Sequence, residues 1–296
     1  MDRFTNPYVI LTLTALFWSS NMVVGRAFGT EVPPFAFAFL RWSVAALLVF
    51  PLAFPHVRAQ WPHLKRSWPS LVLLGLLGVG GYNTLAYMGL QYTTATNAAL
   101  LNSFIPIATI AISWIFFGKH LTRRESLGVF ISFMGVMTIV GRGDVAVLAH
   151  LRLNVGDLWL LLAVLDWALY TIALGWRPAG VHPMLLLAAM ILVGLAALAP
   201  AAIWEAQRGH HTNITPASLM AIAYVGIFPG FLSYVFYNRG VAAIGPSRAS
   251  LFIHLMPVFG TLLAMLFLAE IPRWYHLLGI ALIFSGIRLT LRQRGR

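Results

Sequence analysis

The stretch ATNAALLNSFIPIATIAISWIFF, residues 95–117, decides the fold of this chain of 296 residues. It is apolar over the length of about 20 residues that a helix needs to cross a bilayer, yet Pro106 interrupts it near its centre. Proline removes a backbone donor and clashes with the carbonyl four residues earlier. In lipid, the carbonyl that loses its donor must be satisfied by protein or by water in a cavity. The stretch therefore predicts a broken membrane-spanning helix.

The same pattern recurs 151 residues later without a gap, so that Pro106 corresponds to Pro257. Further matches in this register are Gly89 with Gly240, Ala98 with Ala249, Gly128 with Gly279 and Gly135 with Gly286. The register predicts a tandem repeat. Interrupted spans at corresponding places in two halves indicate the binding site of a secondary transporter, so both prolines are predicted to kink helices beside that site. The alternative is that they only bend helices for packing.

The composition is typical of an integral membrane protein. Hydrophobic residues make up 59% of the chain and charged residues only 9%, whereas globular domains carry about 25% charged residues. The net charge of +12 does not indicate nucleic acid binding, because the basic residues lie in short connections between apolar runs. The absence of cysteine excludes disulfides and thiolate chemistry. We expect no metal, no cofactor and no cleavable signal peptide.

Apolar runs of about 20 residues predict an all-α membrane protein with ten transmembrane helices. The runs are residues 7–27, 34–54, 69–90, 95–117, 124–141, 155–175, 182–204, 216–240, 247–269 and 273–291. Proline marks several junctions between them, among them Pro62 and Pro216. The longest break, about residues 141–154, is predicted to link a first repeat, residues 1–145, to a second, residues 146–296.

The distribution of lysine and arginine predicts the orientation. One side of the predicted spans carries Arg3, Arg58, Lys65, Arg66, Lys119, Arg123, Arg124, Arg177, Arg239, Arg248, Arg288, Arg292, Arg294 and Arg296, whereas the other carries Arg26, Arg142, Arg152, Arg208 and Arg273. The positive-inside rule makes the first side, with both termini, cytoplasmic. Five helices per repeat is an odd number, so the two repeats are predicted to be inverted. Such a pair is typical of alternating access, and we expect the plasma membrane of a bacterium, its inner membrane, as the location.

Two charged residues lie well inside the predicted spans, away from the span ends. Asp166 lies at a span centre, where insertion scales put the cost of an aspartate at about 2.5 to 3.5 kcal/mol, so it should face protein or water. It is predicted to carry a proton or to pair with a substrate amine, and the alternative is that it ties helices together. Arg41 lies in the first half of the second span and is predicted to extend towards the headgroups or to serve packing.

Aromatic and amide side chains gather at the predicted mid-depth of the spans, although Trp and Tyr usually gather at membrane interfaces. Rings with converging amides suit a ligand with an apolar body and a polar head, such as an amphipathic zwitterion. The predicted substrate contacts are Trp18, Asn21, Tyr82, Tyr87, Asn102, Asp166, Trp167, Tyr170, Tyr237 and His254. The alternative is that these groups hold helices together. For His254, which corresponds to Ser103 in the repeat, that means a hydrogen-bonded structural role.

Small residues predict close contacts between helices. Gly128 with Gly135, and Gly279 with Gly286, keep the same spacing of seven residues on one helix face. Each pair indicates a packing seam, either within the scaffold or at a dimer face. We expect a monomer or a homodimer that has the lipid bilayer and a small-molecule substrate as its partners.

Several of these motifs resemble the drug/metabolite transporter superfamily, specifically its EamA-type ten-helix members, of which the YddG-type aromatic amino acid exporters are an example. The resemblance is carried by LFWSSN at 16–21, Leu40 with Arg41, ATNAAL at 95–100 through Pro106, DWALY at 166–170, and GPSRAS at 245–250 through Pro257. It covers the whole chain and implies efflux of metabolites, often amino acids, from the cytoplasm. Asp166 departs from the pattern, in which a serine-like residue is commoner.

The residues and the resemblance together predict a secondary transporter that exports small amphipathic metabolites, and we expect aromatic or apolar amino acids. The alternatives are an exporter of other drugs or metabolites, a pore-type channel, and a membrane protein that does not transport. An enzyme is not expected, because the chain lacks HExxH, GxSxG and a phosphate loop. One central carboxylate also leaves no partner for paired acid and base chemistry.

Overall fold

The computed structural model describes residues 6–28, 30–93, 95–149, 154–268 and 273–291. Within these ranges every regular element is helical. Five arginines that we used to predict the orientation lie outside the described residues, namely Arg3, Arg152, Arg292, Arg294 and Arg296.

The described helices follow one another through short connections. The N-terminal half forms α1 Pro7–Ala27, α2 Pro34–Arg66, α3 Trp68–Tyr92, α4 Ala95–Asn102, α5 Ile105–Phe117 and α6 Arg123–Val140. After the short helix α7 Val145–Ala149, the C-terminal half forms α8 Val155–Trp176, α9 Pro183–Gln207, α10 Pro216–Ile244, α11 Pro246–Ser250, α12 Met256–Leu268 and α13 Trp274–Leu291. A 3-10 segment, Leu251–Leu255, joins α11 to α12.

The described helices suit a bilayer in length and in surface. Eight stretches are long and apolar enough to span a membrane, namely α1, α2, α3, Asn97–Phe117, α8, α9, α10 and α13. Their outer faces carry large apolar side chains: Leu47 and Phe54 are each 76% exposed and Leu192 is 57% exposed. Side chains of this kind contact acyl chains favourably, so the outside of the bundle is built to lie in lipid.

The predicted end of the second span at residue 54 is wrong, because α2 continues to Arg66. Pro62, which we placed at a junction, lies inside this helix together with two other prolines. Each proline removes only one helical hydrogen bond. The extension also contacts the start of α9, where the backbone N–H of His182 donates to Gln60 Oε1 at 2.8 Å. Tertiary contact therefore outweighs the local penalty of the prolines.

The structure places an irregular segment before each of the two repeat-related prolines. α4 ends at Asn102, a short turn follows, and Pro106 lies in the first turn of α5. Pro257 lies in the first turn of α12, directly after the 3-10 segment. The first turn of a helix is where a missing backbone donor costs least. In each case the helix begins anew at the proline.

Two π-helical segments were not predicted from the sequence. They are Leu76–Gly81 within α3 and Gly226–Leu232 within α10. The glycine that precedes the first segment, Gly75, corresponds to Gly226 in the register of 151 residues. The first segment packs on α9 and α8, and the second packs on α2. Since π-helical turns inside α-helices often mark functional sites, these two segments indicate a candidate site in the part of the bundle where they pack.

Helices of the two halves pack against each other in reciprocal pairs: α2 with α9, α3 with α8, α1 with α10, and α6 with α13. In the last pair the backbone of Gly128 meets that of Gly286, and Gly135 meets Gly279. This order of contacts means that α6 and α13 run antiparallel. The predicted seam therefore closes within the chain, and the alternative of a dimer face for these four glycines is wrong.

We expect Gly135→Ala to destabilise the protein by about 1 to 3 kcal/mol. A Cβ atom at this position would lie 2.7 Å from the carbonyl oxygen of Gly279 and 2.8 Å from the amide nitrogen of Ile283. Backbone atoms cannot turn aside, so the helices must separate. The measurement is the thermal unfolding midpoint in detergent. Gly175→Ala is the matched control, because no atom lies within 4 Å of a Cβ there, and an equal loss in both variants would contradict the seam.

Candidate functional site

Aromatic rings from α1, α2, α3, α8 and α10 meet at the centre of the bundle. Trp18 and Trp167 pack edge to face with 4.9 Å between their ring centroids, and Tyr82 lies 4.8 Å from Trp167. Trp42 and Tyr234 also pack edge to face, at 4.7 Å. Ring pairs of this geometry contribute about 0.5 to 1.5 kcal/mol each beyond the area they bury. The rings therefore form a packed cluster in this conformation.

A small cavity lies inside this aromatic cluster. Its volume is about 10 Å³, which is roughly the space that one water molecule needs. The residues that line it are Trp18, Asn21, Met22, Tyr82, Asn83, Trp167 and Tyr234. Pockets that hold small-molecule ligands usually measure about 300 Å³ or more. The centre of the bundle is therefore closed in this conformation, and the cavity is too small for a substrate molecule.

Four of the ten predicted substrate contacts line this cavity, namely Trp18, Asn21, Tyr82 and Trp167. Two more lie one hydrogen bond behind it. The hydroxyl of Tyr87 donates to Asn21 Oδ1 at 2.9 Å, and the hydroxyl of Tyr82 donates to Asn102 Oδ1 at 3.1 Å. Asn102 is the last residue of α4, so this bond connects the cavity to the helix break before Pro106.

Tyr170 and Tyr237 lie behind Trp167, with ring centroids 4.8 and 5.4 Å from its own. The hydroxyl of Tyr170 donates to Asn238 Oδ1 at 2.7 Å, and that of Tyr237 lies 2.9 Å from Thr171 Oγ1. Neither tyrosine is among the residues that line the cavity. Both therefore support the aromatic wall from the side away from the cavity.

Asp166 lies beside the cavity rather than in its lining. Asp166 lies on α8, and its side chain packs against the backbone of Gly81, the last residue of the first π-helical segment. Its Oδ2 atom is buried and has no hydrogen-bond partner. The structure thus holds a carboxyl group with unused hydrogen-bonding capacity next to a segment of irregular helix.

His254 is fully buried, and both of its ring nitrogens have partners. Nε2 lies 3.0 Å from the carbonyl oxygen of Ser103, and Nδ1 lies 2.6 Å from the hydroxyl of Ser132. A carbonyl oxygen only accepts, so Nε2 carries the hydrogen and Nδ1 accepts from the hydroxyl. Ser103 lies in the break between α4 and α5. The geometry thus supports the structural alternative for His254, which satisfies a carbonyl at the break.

Arg41 does not extend to the headgroups, so that half of its prediction is wrong, whereas the predicted alternative of a role in packing is not contradicted. Its side chain is 0% exposed. Nη1 donates to Asn83 Oδ1 and, at 2.9 Å, to the hydroxyl of Tyr87, and Nη2 lies 3.4 Å from the carbonyl oxygen of Val225. The reason is the face of α2 on which it lies: this face packs against the second π-helical segment. The guanidinium therefore points into the bundle.

Asn83 and Tyr234 were not predicted as substrate contacts, although both line the cavity. They occupy the same position of the register of 151 residues and contact each other, since Asn83 Nδ2 donates to the hydroxyl of Tyr234 at 3.2 Å. That hydroxyl in turn donates to the carbonyl of Gly78 in the first π-helical segment. The sequence offered one sign of this contact, namely that two polar residues occupy the same register position. No such sign pointed to Met22, which also lines the cavity, or to Trp42, which packs on Tyr234.

The apolar exterior, the spanning helices and the closed polar and aromatic centre define a class, that of multi-pass membrane transport proteins. The model of the EamA-like transporter family matches residues 6–141 and 154–292. The chain therefore belongs to the EamA-like transporter family, which consists of transporters rather than enzymes.

Relatives of similar length support this assignment. The uncharacterized transporter YyaM of Bacillus subtilis strain 168 is 25% identical over 287 residues, which cover 96% of this chain and 93% of that protein. An uncharacterized transporter of Archaeoglobus fulgidus is 26% identical over 286 residues, or 97% of each chain. A protein of known crystal structure has the same fold, with a TM-score of 0.76 and 19% identity over 96% of both chains.

We expect His254→Ala to lower the stability of the folded protein by about 1 to 3 kcal/mol, because it leaves the carbonyl of Ser103 without a donor in a buried place. The measurement is the thermal unfolding midpoint in detergent. His63→Ala serves as the control, because His63 is exposed on α2. If both variants unfold at the same temperature as the wild type, His254 does not hold the break together.

Proposed function

We propose that this transporter exports small amphipathic metabolites, foremost amino acids with aromatic or apolar side chains, by alternating access around the central cavity. The observation that carries the proposal is the lining of that cavity, which combines four aromatic rings with the amides of Asn21 and Asn83. Rings bury an apolar body, amides bind a polar head, and ring faces also attract an ammonium group. An amino acid with a large side chain combines these features.

The architecture that we propose has ten spans in two inverted repeats of five helices, with both termini in the cytoplasm of a bacterium or archaeon. Contacts between helix ends support it, because they join ends that this topology puts on the same face. On the outer face Glu205, at the end of α9, accepts from the backbone of Ala36 at 2.9 Å. On the inner face Arg248 and Glu125 pair at 2.9 Å. The antiparallel pairing of α6 with α13, which correspond in the repeat, supports the inversion.

The two π-helical segments are the elements that we propose to move. Each packs against helices of the other half, and the second is tied to α1 by the indole N–H of Trp18, which donates to the carbonyl oxygen of Pro229 at 3.2 Å. If a π-helical turn gains or loses one residue relative to the regular α-helix, the part of the helix that follows the turn rotates about the helix axis. Such a change would withdraw Tyr234 from Trp18 and widen the cavity on one side. Switching between two such packings is a known way to alternate access.

The test is counterflow into proteoliposomes that are preloaded with unlabelled L-phenylalanine, L-tryptophan or L-leucine. We expect saturable uptake of the labelled amino acid. Trp167→Ala should lower this uptake by about 10-fold or more, because it removes ring contacts on which the bound substrate depends. Trp61→Ala is the matched control, since Trp61 is 59% exposed and lies outside the cavity. Flux that rises linearly with concentration would instead support a pore.

Asp166 provides a second test, because we propose that it carries a proton or pairs with the substrate amine. We expect Asp166→Asn to transport more slowly and to lose the response to a pH gradient, since an amide neither releases a proton nor attracts an ammonium group. Uptake is measured at several pH differences across the liposome membrane. Asp144→Asn, outside the spanning helices, should behave like the wild type. Normal rate and normal pH response in Asp166→Asn would refute the role.

A further inference from the structure

Arg41 is a buried charge without a counter-charge. The guanidinium stays protonated in proteins, and its side chain is 0% exposed in the middle of the bundle. Among the described residues the ion pair found is Arg248 with Glu125, so no described carboxylate pairs with Arg41. A buried charge is strongly unfavourable unless it is paired and hydrogen-bonded. Its present surroundings therefore satisfy Arg41 only in part.

The groups around Arg41 are neutral. Its hydrogen bonds go to the amide oxygen of Asn83, the hydroxyl of Tyr87 and, at 3.4 Å, the carbonyl of Val225, whereas Nε has no partner. The guanidinium also lies 5.3 Å from the ring centroid of Trp42. Neutral acceptors and a ring face compensate a buried cation less well than an anion does. The site is thus complementary to a negative group that is not part of the chain around it.

Arg41 is connected to the cavity on two sides. Asn83 accepts from Arg41 and itself lines the cavity. The hydroxyl of Tyr87 accepts a hydrogen bond from Arg41 and donates one to Asn21, which lines the cavity as well. A ligand group that replaced the amide of Asn83 would therefore meet the guanidinium directly, whereas one that replaced the amide of Asn21 would be linked to it through Tyr87. This places the buried cation one side chain away from the space in which we propose that the substrate binds.

We propose that Arg41 binds the carboxylate of the transported substrate and thereby selects for molecules that carry one. This inference rests on the proposed function, since it assigns one end of the substrate in that same cavity. The planar fork of a guanidinium matches the two oxygens of a carboxylate, and Nε still has a hydrogen that no described group accepts. In the closed conformation Asn83 and Tyr87 accept the hydrogen bonds of Nη1 that the carboxylate would accept. The incoming anion replaces them as the centre opens.

The first experiment compares an acid with its amide. Counterflow and intrinsic tryptophan fluorescence of the wild type are measured with L-phenylalanine, L-leucine and their carboxyl amides. We expect the acids to compete about 10 to 100 times better than the amides, the range given by one charge-assisted hydrogen-bonded contact. Equal competition by acids and amides overturns the role of Arg41 and leaves the proposed function standing. If none of the four compounds is transported or bound, the result overturns both the role of Arg41 and the proposed function.

The second experiment supplies the missing anion from within. Asn83→Asp places a carboxylate where the amide oxygen already accepts from Arg41. We expect this variant to unfold at a higher temperature than the wild type and to lose its preference for acids, because the new carboxylate pairs with the guanidinium of Arg41. This gain should outweigh the loss of the hydrogen bond that Asn83 Nδ2 donates to the hydroxyl of Tyr234. Asn102→Asp is the matched control for stability, since Asn102 is bonded to Tyr82 rather than to Arg41. It should show no such rise.

A third variant, Arg41→Lys, keeps the charge but removes the fork. We expect it to retain a weaker preference for acids over amides, because an ammonium group binds a carboxylate as a point charge.

The inference is overturned if Asn83→Asp is less stable than the wild type, or if it keeps the full preference for acids. It is also overturned if Arg41→Lys discriminates as well as the wild type in both fluorescence and counterflow.

Discussion

In a bilayer, every backbone polar group that leaves a helical ladder must find a partner inside the protein, and the rest of this structure depends on that constraint. The breaks and π-helical turns leave carbonyl groups without helical donors, and side chains of the opposite half satisfy them. His254 lies 3.0 Å from the carbonyl of Ser103, and the indole of Trp18 donates to the carbonyl of Pro229 at 3.2 Å. Irregular backbone is therefore stable only where the halves meet. The polar groups that we propose to bind the substrate lie at this contact between the halves.

The same constraint explains why the centre is both polar and closed. With a cavity of only about 10 Å³, the rings pack on one another and most of the polar groups beside them form hydrogen bonds, although the buried Nε1 of Trp167 and Nδ2 of Asn102 have none. Arg41, Asn83 and Tyr234 form one continuous chain of hydrogen bonds across the two halves. Such a network is stabilising only when its members have partners. Under the function that we propose, a substrate that enters the centre has to replace the hydrogen bonds and ring contacts that it breaks.

Much of the site was accessible from the sequence, because the register of 151 residues and the mid-span position of rings are periodic, local signals. Trp18, Asn21, Tyr82 and Trp167 do line the cavity. Asn83 and Tyr234 were missed as contacts, since equal register positions meet only when two halves pack as an antiparallel pair. His254 was predicted to contact substrate. In the structure its ring nitrogens bond to Ser103 and Ser132, and the sequence did not reveal these partners because they are distant in the chain. Which polar group meets another across the bundle is not a local property.

The sequence by itself determined the membrane character, the register of 151 residues and the positions of the proline breaks, because these follow from composition, spacing and covalent geometry. Only the tertiary structure decided that Arg41 is buried and that α2 continues to Arg66. It also decided that the glycines of α6 face those of α13. In each case the outcome depends on which helix face turns towards which neighbour. The packing of residues far apart in the chain decides that, and no window of sequence contains it.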